Sequence, residues 1–194
     1  VIIDQAIHTL DLLRWFVGRR GGRMPRQAQL DQALAQLLGA RDDAGVRAAL
    51  GDGSLARWRG GAYWLPELPG WDGELPGSAL VAAPGQWLAL GASGVEVRAQ
   101  AGSGAGLAAA CFTDAVVRFR RGGEHLRPRA GGPARSLKTL LRERDVPPWR
   151  RARLPLLCQG AEVLWAAGLG VDAGCHAGSA EPGWMLSFRD FELD

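Results

Sequence analysis

The apolar side chains of this chain change their spacing once, and that change limits the fold more than any other feature. They fall first at Ile3, Ile7, Leu10, Leu13 and Val17, then at Leu30, Ala33, Leu34, Leu37 and Leu38. Steps of three and four put each set on one face of an amphipathic helix. Gly18 and the run Arg19-Arg20-Gly21-Gly22-Arg23 end the first helix; Pro25 suits the first position of the second, and Gly39 stops it. Past Gly39 the helical period disappears. Val46–Leu50, a turn at Gly51-Asp52-Gly53, Leu55–Arg59 and Ala62–Leu65 predict a small antiparallel meander with Trp58, Tyr63 and Trp64 as its bulk. Residues 1–65 are therefore expected to form a helical domain with a hairpin tail.

Residues 66–109 are rich in Gly and Pro, with a junction near Pro66–Gly73, and read as a linker and short strands leading into the next domain. The strands are expected at Ala79–Ala83, Gln86–Leu90 and Val95–Ala99. In Gly102-Ser103-Gly104-Ala105-Gly106 the third glycine comes one place early for a dinucleotide fingerprint, and no acid follows at the required distance; a flexible loop is expected. In residues 110–194, strands are predicted at Ala115–Phe119, Leu154–Leu157, Val163–Leu169 and Met185–Phe188. Ser136 can cap a helix with Leu137, Leu140 and Leu141 inward, ended by Pro147-Pro148. The expected fold class is α+β: a small helical domain, then a strand-rich domain with one prominent helix.

Charge is distributed unevenly along this frame. From Arg118 to Arg153 there are twelve Lys/Arg against three acids, a surplus of nine in a chain whose net charge is +3, so the remainder carries −6. Such asymmetry points to a polyanion surface, with nucleic acid the first candidate. All but Lys138 of the basic side chains are Arg, so phosphate contacts would come from planar, forked guanidinium groups.

Other classes find little support. Cys111, Cys158 and Cys175 match no metal-ligand spacing, and so sparse and odd a count suits reduced thiols in the cytoplasm. His8, His125 and His176 share no spacing with other ligands, so no metal site is expected. No apolar run reaches the length of a membrane span. The chain opens on Val1 with a helix almost at once, and is expected to be the C-terminal part of a longer protein.

Three groups of residues carry a resemblance. The first is Arg118, Arg120, Gly122, Gly123 and Glu124, followed by Arg127-Pro128. The second is Ser136, Leu137, Lys138, Leu140 and Leu141. The third is Val146-Pro147-Pro148-Trp149, then Arg153, Pro155, Leu156 and Leu157. In this order they resemble the C-terminal domain of tRNA(Ile)-lysidine synthetases. Leu13-Arg14-Trp15, Met24-Pro25, Leu30, Gln36-Leu37-Leu38 and Leu55 to Gly60 with Tyr63 look like that family's middle, substrate-recognition domain. The ATP-binding domain of the family, with its Ser-Gly-Gly-x-Asp-Ser loop, has no counterpart here. The resemblance implies a parent enzyme that uses ATP with Mg²⁺ to activate C2 of the wobble cytidine of tRNA(Ile) and L-lysine to displace AMP, making lysidine. It also implies a non-catalytic role for residues 1–194, no cofactor among them, a second domain similar to a module of the phenylalanyl-tRNA synthetase beta chain, and tRNA(Ile) as partner, with no DNA and no membrane.

The candidate tRNA-binding residues are Arg118, Arg120, Arg127, Arg135, Ser136, Lys138, Arg142, Trp149, Arg150 and Arg153. Arg118 or Arg120 could instead pair with Glu124. Gly122 and Gly123 are read as a tight turn or a close approach of backbone to RNA. Glu124, with no partner acid or nucleophile, is read as a structural ion pair or turn acceptor, and Pro147-Pro148 as structural. Trp149 could stack on a base, but a packed core anchor is the preferred reading. Two other classes stay open: a non-catalytic RNA- or protein-binding module, and a homodimer joined through apolar helix faces.

Overall fold

The structure, a computed structural model, describes residues 2–19, 21–39 and 46–190, with side chains from residue 11 onward. Ile3, Ile7, Leu10 and His8 therefore lie outside the described side chains. The chain divides into two compact units, Val1–Leu68 and Pro69–Asp194.

The first unit holds α1 (Ile2–Arg19), α2 (Gln27–Gly39) and the meander β1 (Arg47–Leu50), β2 (Gly53–Trp58) and β3 (Gly61–Pro66). Its core is Val17, Leu30, Ala33, Leu37, Ala48, Leu50, Leu55 and Trp64. These are inward positions of both periods, but Leu38, expected on the same face of α2, is 68% exposed. Pro25 is buried ahead of α2 instead of opening it. The entry is organised by Gln29, whose side-chain oxygen accepts the Arg26 N–H at 3.1 Å, as a Gln at the third helical position does in a capping box. Both hairpin turns have two residues. Gly51 (φ 59°) begins the first, and Arg59 (φ 46°) and Gly60 (φ 78°) form the second. The Asp52 carboxylate accepts the Arg23 N–H at 2.9 and 3.1 Å, tying the interhelical connection to the first hairpin.

The second unit is α+β. In chain order it contains β4 (Leu75–Pro76), α3 (Gly77–Ala82), β5 (Leu88–Ala89), β6 (Val95–Ser103), β7 (Leu107–Ala108), a 3-10 turn at Ala109–Phe112, β8 (Val116–Phe119), β9 (His125–Leu126) and β10 (Arg135–Ser136). Then follow α4 (Leu137–Glu143), α5 (Pro148–Arg151), β11 (Pro155–Gln159), β12 (Glu162–Ala166), β13 (Gly170–Val171) and β14 (Pro182–Asp190). One sheet runs β13-β12-β11-β8-β4, a second β5-β6-β14-β7, and β9 pairs with β10. Consecutive residues of β11 and β12 are buried, Leu156 to Cys158 and Val163 to Ala166, so both faces of the larger sheet are covered at its centre. One continuous core joins the two sheets with α3 and α4.

Several expectations need correction. Residues 69–109 are part of the second unit and supply strands to both of its sheets; they are not a linker. The strand expected at Ala79–Ala83 is instead the helix Gly77–Ala82: Gly77 donates its N–H to Ala115 O at 2.7 Å, and the helix buries Leu80. Periodicity cannot separate such a short apolar run from a strand. Ser136 precedes α4, but its hydroxyl makes no capping bond. Helix α4 ends before the prolines, where Asp145 adopts φ 57° and Val146 donates to Leu141 O. Pro148 opens α5, where a missing N–H costs nothing. Gly104 and Gly106 form a packed turn: a Cβ on Gly106 would stand 2.4 Å from Trp184 O.

Leu156 is fully buried in β11, with β8 on one side and β12 on the other. Leu156→Ala should cost about 2–5 kcal/mol of unfolding free energy. Chemical denaturation followed by tryptophan fluorescence will measure it.

Candidate nucleic-acid interface

The basic stretch turns back on itself around one carboxylate. Strand β8 presents Arg118, and the chain continues through Arg120 and Arg121 into Gly122 (φ 101°) and Gly123 (φ 84°). Both glycines sit in the left-handed region, and no atom stands within 4 Å of where either Cβ would lie. The glycines are thus required by backbone conformation and not by crowding. The reversal drives Glu124 inward to 7% exposure.

There the carboxylate accepts the Arg121 N–H at 2.6 Å and the Gly122 N–H at 2.9 and 3.0 Å. Arg118 Nη1 donates to it at 3.2 Å, and Arg120 Nε lies 3.5 Å away. Burial alone would push the carboxyl up; the backbone N–H donors and the Arg118 guanidinium outweigh it and leave Glu124 below its ordinary 4.5. Its own carbonyl accepts the Leu137 N–H at 2.9 Å, at the first residue of α4. The ion-pair reading of Glu124 describes this geometry.

Arg118 therefore differs from its place among the phosphate contacts. It is 8% exposed, and it also donates to Phe119 O. Arg153 is likewise engaged inside the unit, bonded to Ser93 O and 3.5 Å from Asp190. Arg135 is exposed but forms a two-point ion pair with Glu143, which holds the guanidinium up and the carboxyl down. Arg127 is exposed; its N–H donates to Asp172 at 2.6 Å, at the rim of a cleft of about 560 Å³. Trp149 is half-buried, and α5 buries no residue, so the core-anchor reading does not hold in full. Arg150 borders a smaller cavity of about 210 Å³ with Val146, Leu154 and Phe188.

Helix α4 separates apolar from charged side chains. Leu137, Leu140 and Leu141 are buried, while Lys138 and Arg142 are exposed and four residues apart on one face. Arg151, absent from the candidates, belongs with them. Burial first, then the charges of Arg142 and Arg120, push its guanidinium below its usual range. The charges of Arg120, just past β8, and of Arg142 on α4 are thus felt at Arg151 on α5. Arg98 and Arg189 were also missed; both lie over the Trp87 ring, 4.4 and 4.3 Å from its centroid, on β6 and β14. No spacing along the chain signals either group, because each draws on separate elements.

No group of three or more His, Cys, Asp or Glu comes together among the described residues, and Glu124 and Asp172 accept backbone N–H groups. No described helix is long and apolar enough to cross a membrane.

Two family models match this chain. The TilS substrate binding domain covers residues 10–63, and the TilS substrate C-terminal domain covers residues 115–188. The chain belongs to the TilS family. Among its relatives, the tRNA(Ile)-lysidine synthase of Azoarcus sp. (strain BH72) is 35% identical over 178 residues, covering 92% of this chain and 38% of the relative. That of Ralstonia nicotianae is 34% identical over 186 residues, covering 91% and 39%. The chain thus spans about two fifths of the length of these curated relatives. A solved structure described as "Crystal structure of TILS C-terminal domain" aligns with a TM-score of 0.41 at 20% identity, covering 50% of this chain and 85% of that one. The TilS C-terminal model spans the whole turn from Arg118 to Glu124 and the α4 cations.

Glu124→Gln should destabilise the second unit by about 3 kcal/mol at neutral pH, because two arginines lose a buried counter-charge. Glu124 is held below 4.5, so its contribution is complete above that value and is lost as pH falls through the depressed one. The gap between wild type and variant should therefore close in acid. Unfolding curves taken across acidic pH will measure this.

Proposed function

We propose that this chain is the tRNA-recognition portion of a tRNA(Ile)-lysidine synthetase. The observation that carries the reading is the pair of exposed cations Lys138 and Arg142 on one face of α4, with the charges of Arg142 and Arg120 also felt at Arg151. Like charges raise one another's energy, and a set gathered on one surface is relieved by an anion of matching extent. A stem of RNA offers phosphates at that density, and A-form helices are held mainly through phosphates, sugar hydroxyls and shape.

In this reading the parent enzyme joins the amine of L-lysine to C2 of the wobble cytidine in the CAU anticodon of tRNA(Ile), with ATP supplying the activation and AMP leaving. The ATP, Mg²⁺ and lysine sites are assigned outside these two units. The first unit, Val1–Leu68, serves as the middle recognition domain and the second, Pro69–Asp194, as the C-terminal tRNA-binding domain. The latter is the part read as similar to a module of the phenylalanyl-tRNA synthetase beta chain. The setting is cytoplasmic. Within the second unit, Lys138 and Arg142 are the principal phosphate contacts, with Arg127, Arg135, Ser136, Trp149, Arg150 and Arg151 beside them; Arg118, Arg120 and Arg153 act as supports.

The test is a salt titration of a tRNA(Ile) transcript binding to the 194-residue chain. Affinity should fall steeply with salt. Lys138→Glu combined with Arg142→Glu should weaken it by about tenfold and flatten the slope by about two phosphate equivalents. Both positions are exposed, so circular dichroism and unfolding midpoint should stay unchanged. Equal affinity and slope in the doubly reversed chain would remove these residues from the interface.

A further inference from the structure

Cys111 and Cys175, far apart in sequence, meet in the second unit. Cys111 lies in the 3-10 turn Ala109–Phe112. Cys175 follows β13, and its N–H donates to Asp172 O at 2.9 Å while its carbonyl accepts the Ala108 N–H at 2.8 Å. The next residue, His176, bridges to Leu107. The backbone carrying Cys175 is therefore fastened to the strand that leads directly into the turn of Cys111. The two side chains are neighbours close enough for each thiol to feel the other, and both are half-buried, free and packed at the edge of the core. Cys158 provides the contrast: it is fully buried in β11.

We propose that Cys111 and Cys175 form a dithiol modification site, converted by a small disulfide oxidant of the glutathione class into one intramolecular disulfide. The Cys111 thiolate attacks one sulfur of the oxidant; the S–S bond of the oxidant breaks, and one reduced glutathione leaves. The Cys175 thiolate then attacks the Cys111 sulfur of the mixed disulfide, and the second glutathione leaves with the electron pair. The cysteines lose two electrons and two protons, and the oxidant gains them. The order follows from environment: burial first, then the Cys111 neighbour, pushes the Cys175 thiol up to about 12. A thiol so held is a poor first nucleophile at neutral pH, but its attack on an adjacent mixed disulfide is intramolecular.

The site has a structural consequence that does not depend on the tRNA reading. Cys175 lines the cleft of about 560 Å³ together with Arg127 and Asp172. Asp172 holds the Arg127 N–H, and Ala173 donates its own N–H to Arg127 O. A covalent link from Cys175 to the 3-10 turn would fix the segment that positions Arg127.

The experiment uses the 194-residue chain, oxidised glutathione and mildly alkaline buffer. Remaining thiols are alkylated without denaturant, and the chain is digested and weighed. The expected result is a single linked pair of peptides carrying Cys111 and Cys175, within a monomer and reversed by dithiothreitol. Cys158 should be alkylated only after denaturation. Cys175→Ala should instead accumulate a glutathione adduct on Cys111. Recovery from the wild-type chain of separately alkylated Cys111 and Cys175, of two persistent glutathione adducts, or of a link between chains would overturn the proposal. None of these readouts involves RNA.

Discussion

The Glu124 carboxylate is the point on which the second unit's basic stretch depends. It gathers two backbone N–H groups and two arginine side chains, and its carbonyl starts α4. A lone buried carboxylate would be strongly disfavoured. With these partners it remains charged, and it fixes the end of β8, the glycine turn and the first residue of α4 in one arrangement. Lys138 and Arg142 then face solvent because Leu137 and Leu141 are held in the core. Their orientation is thus set by an interaction that involves neither of them.

This arrangement divides the arginines into two kinds. Arg118 and Arg153 neutralise acids and satisfy carbonyls within the unit. Lys138 and Arg142 stay at the surface, and Arg142 and Arg120 together raise the local positive potential felt by Arg151. A count of basic residues treats both kinds alike. Only the surface group can contribute to a polyelectrolyte contact, while the inner group gives that surface a rigid base. The Trp87 stack with Arg98 and Arg189 lies on another sheet, so positive charge is not confined to the stretch where the sequence concentrates it.

Much of the fold was legible where an element has a long, regular pattern. Both helices of the first unit and the meander follow from spacing alone, because a buried face repeats with the geometry of its own backbone. The short elements were not. The strand expected at Ala79–Ala83 is the helix Gly77–Ala82, and Pro148 begins a helix where the prolines were expected only to end one. In each case the decision rests with a distant partner or with the turn that precedes it. The candidate site was legible as a motif, and its family as an ordered set of motifs. The distribution of roles within the stretch was not, since Arg118, Arg120 and Arg142 have the same chemistry while the first two lie against Glu124 and Arg142 is exposed.

By itself, then, the sequence determined the class of the fold, the helical and meander elements of the first unit, the concentration of positive charge between Arg118 and Arg153, and the glycines that a reversal before Glu124 needs. These are local properties, written in neighbouring residues. The tertiary structure alone decided that residues 69–109 belong to both sheets of the second unit, that Arg118 is internal, that the charges of Arg120 and Arg142 are felt at Arg151, and that Cys111 neighbours Cys175. Each of these brings together side chains from separate elements, and burial and charge proximity exist only once the sheets have paired and the core has closed.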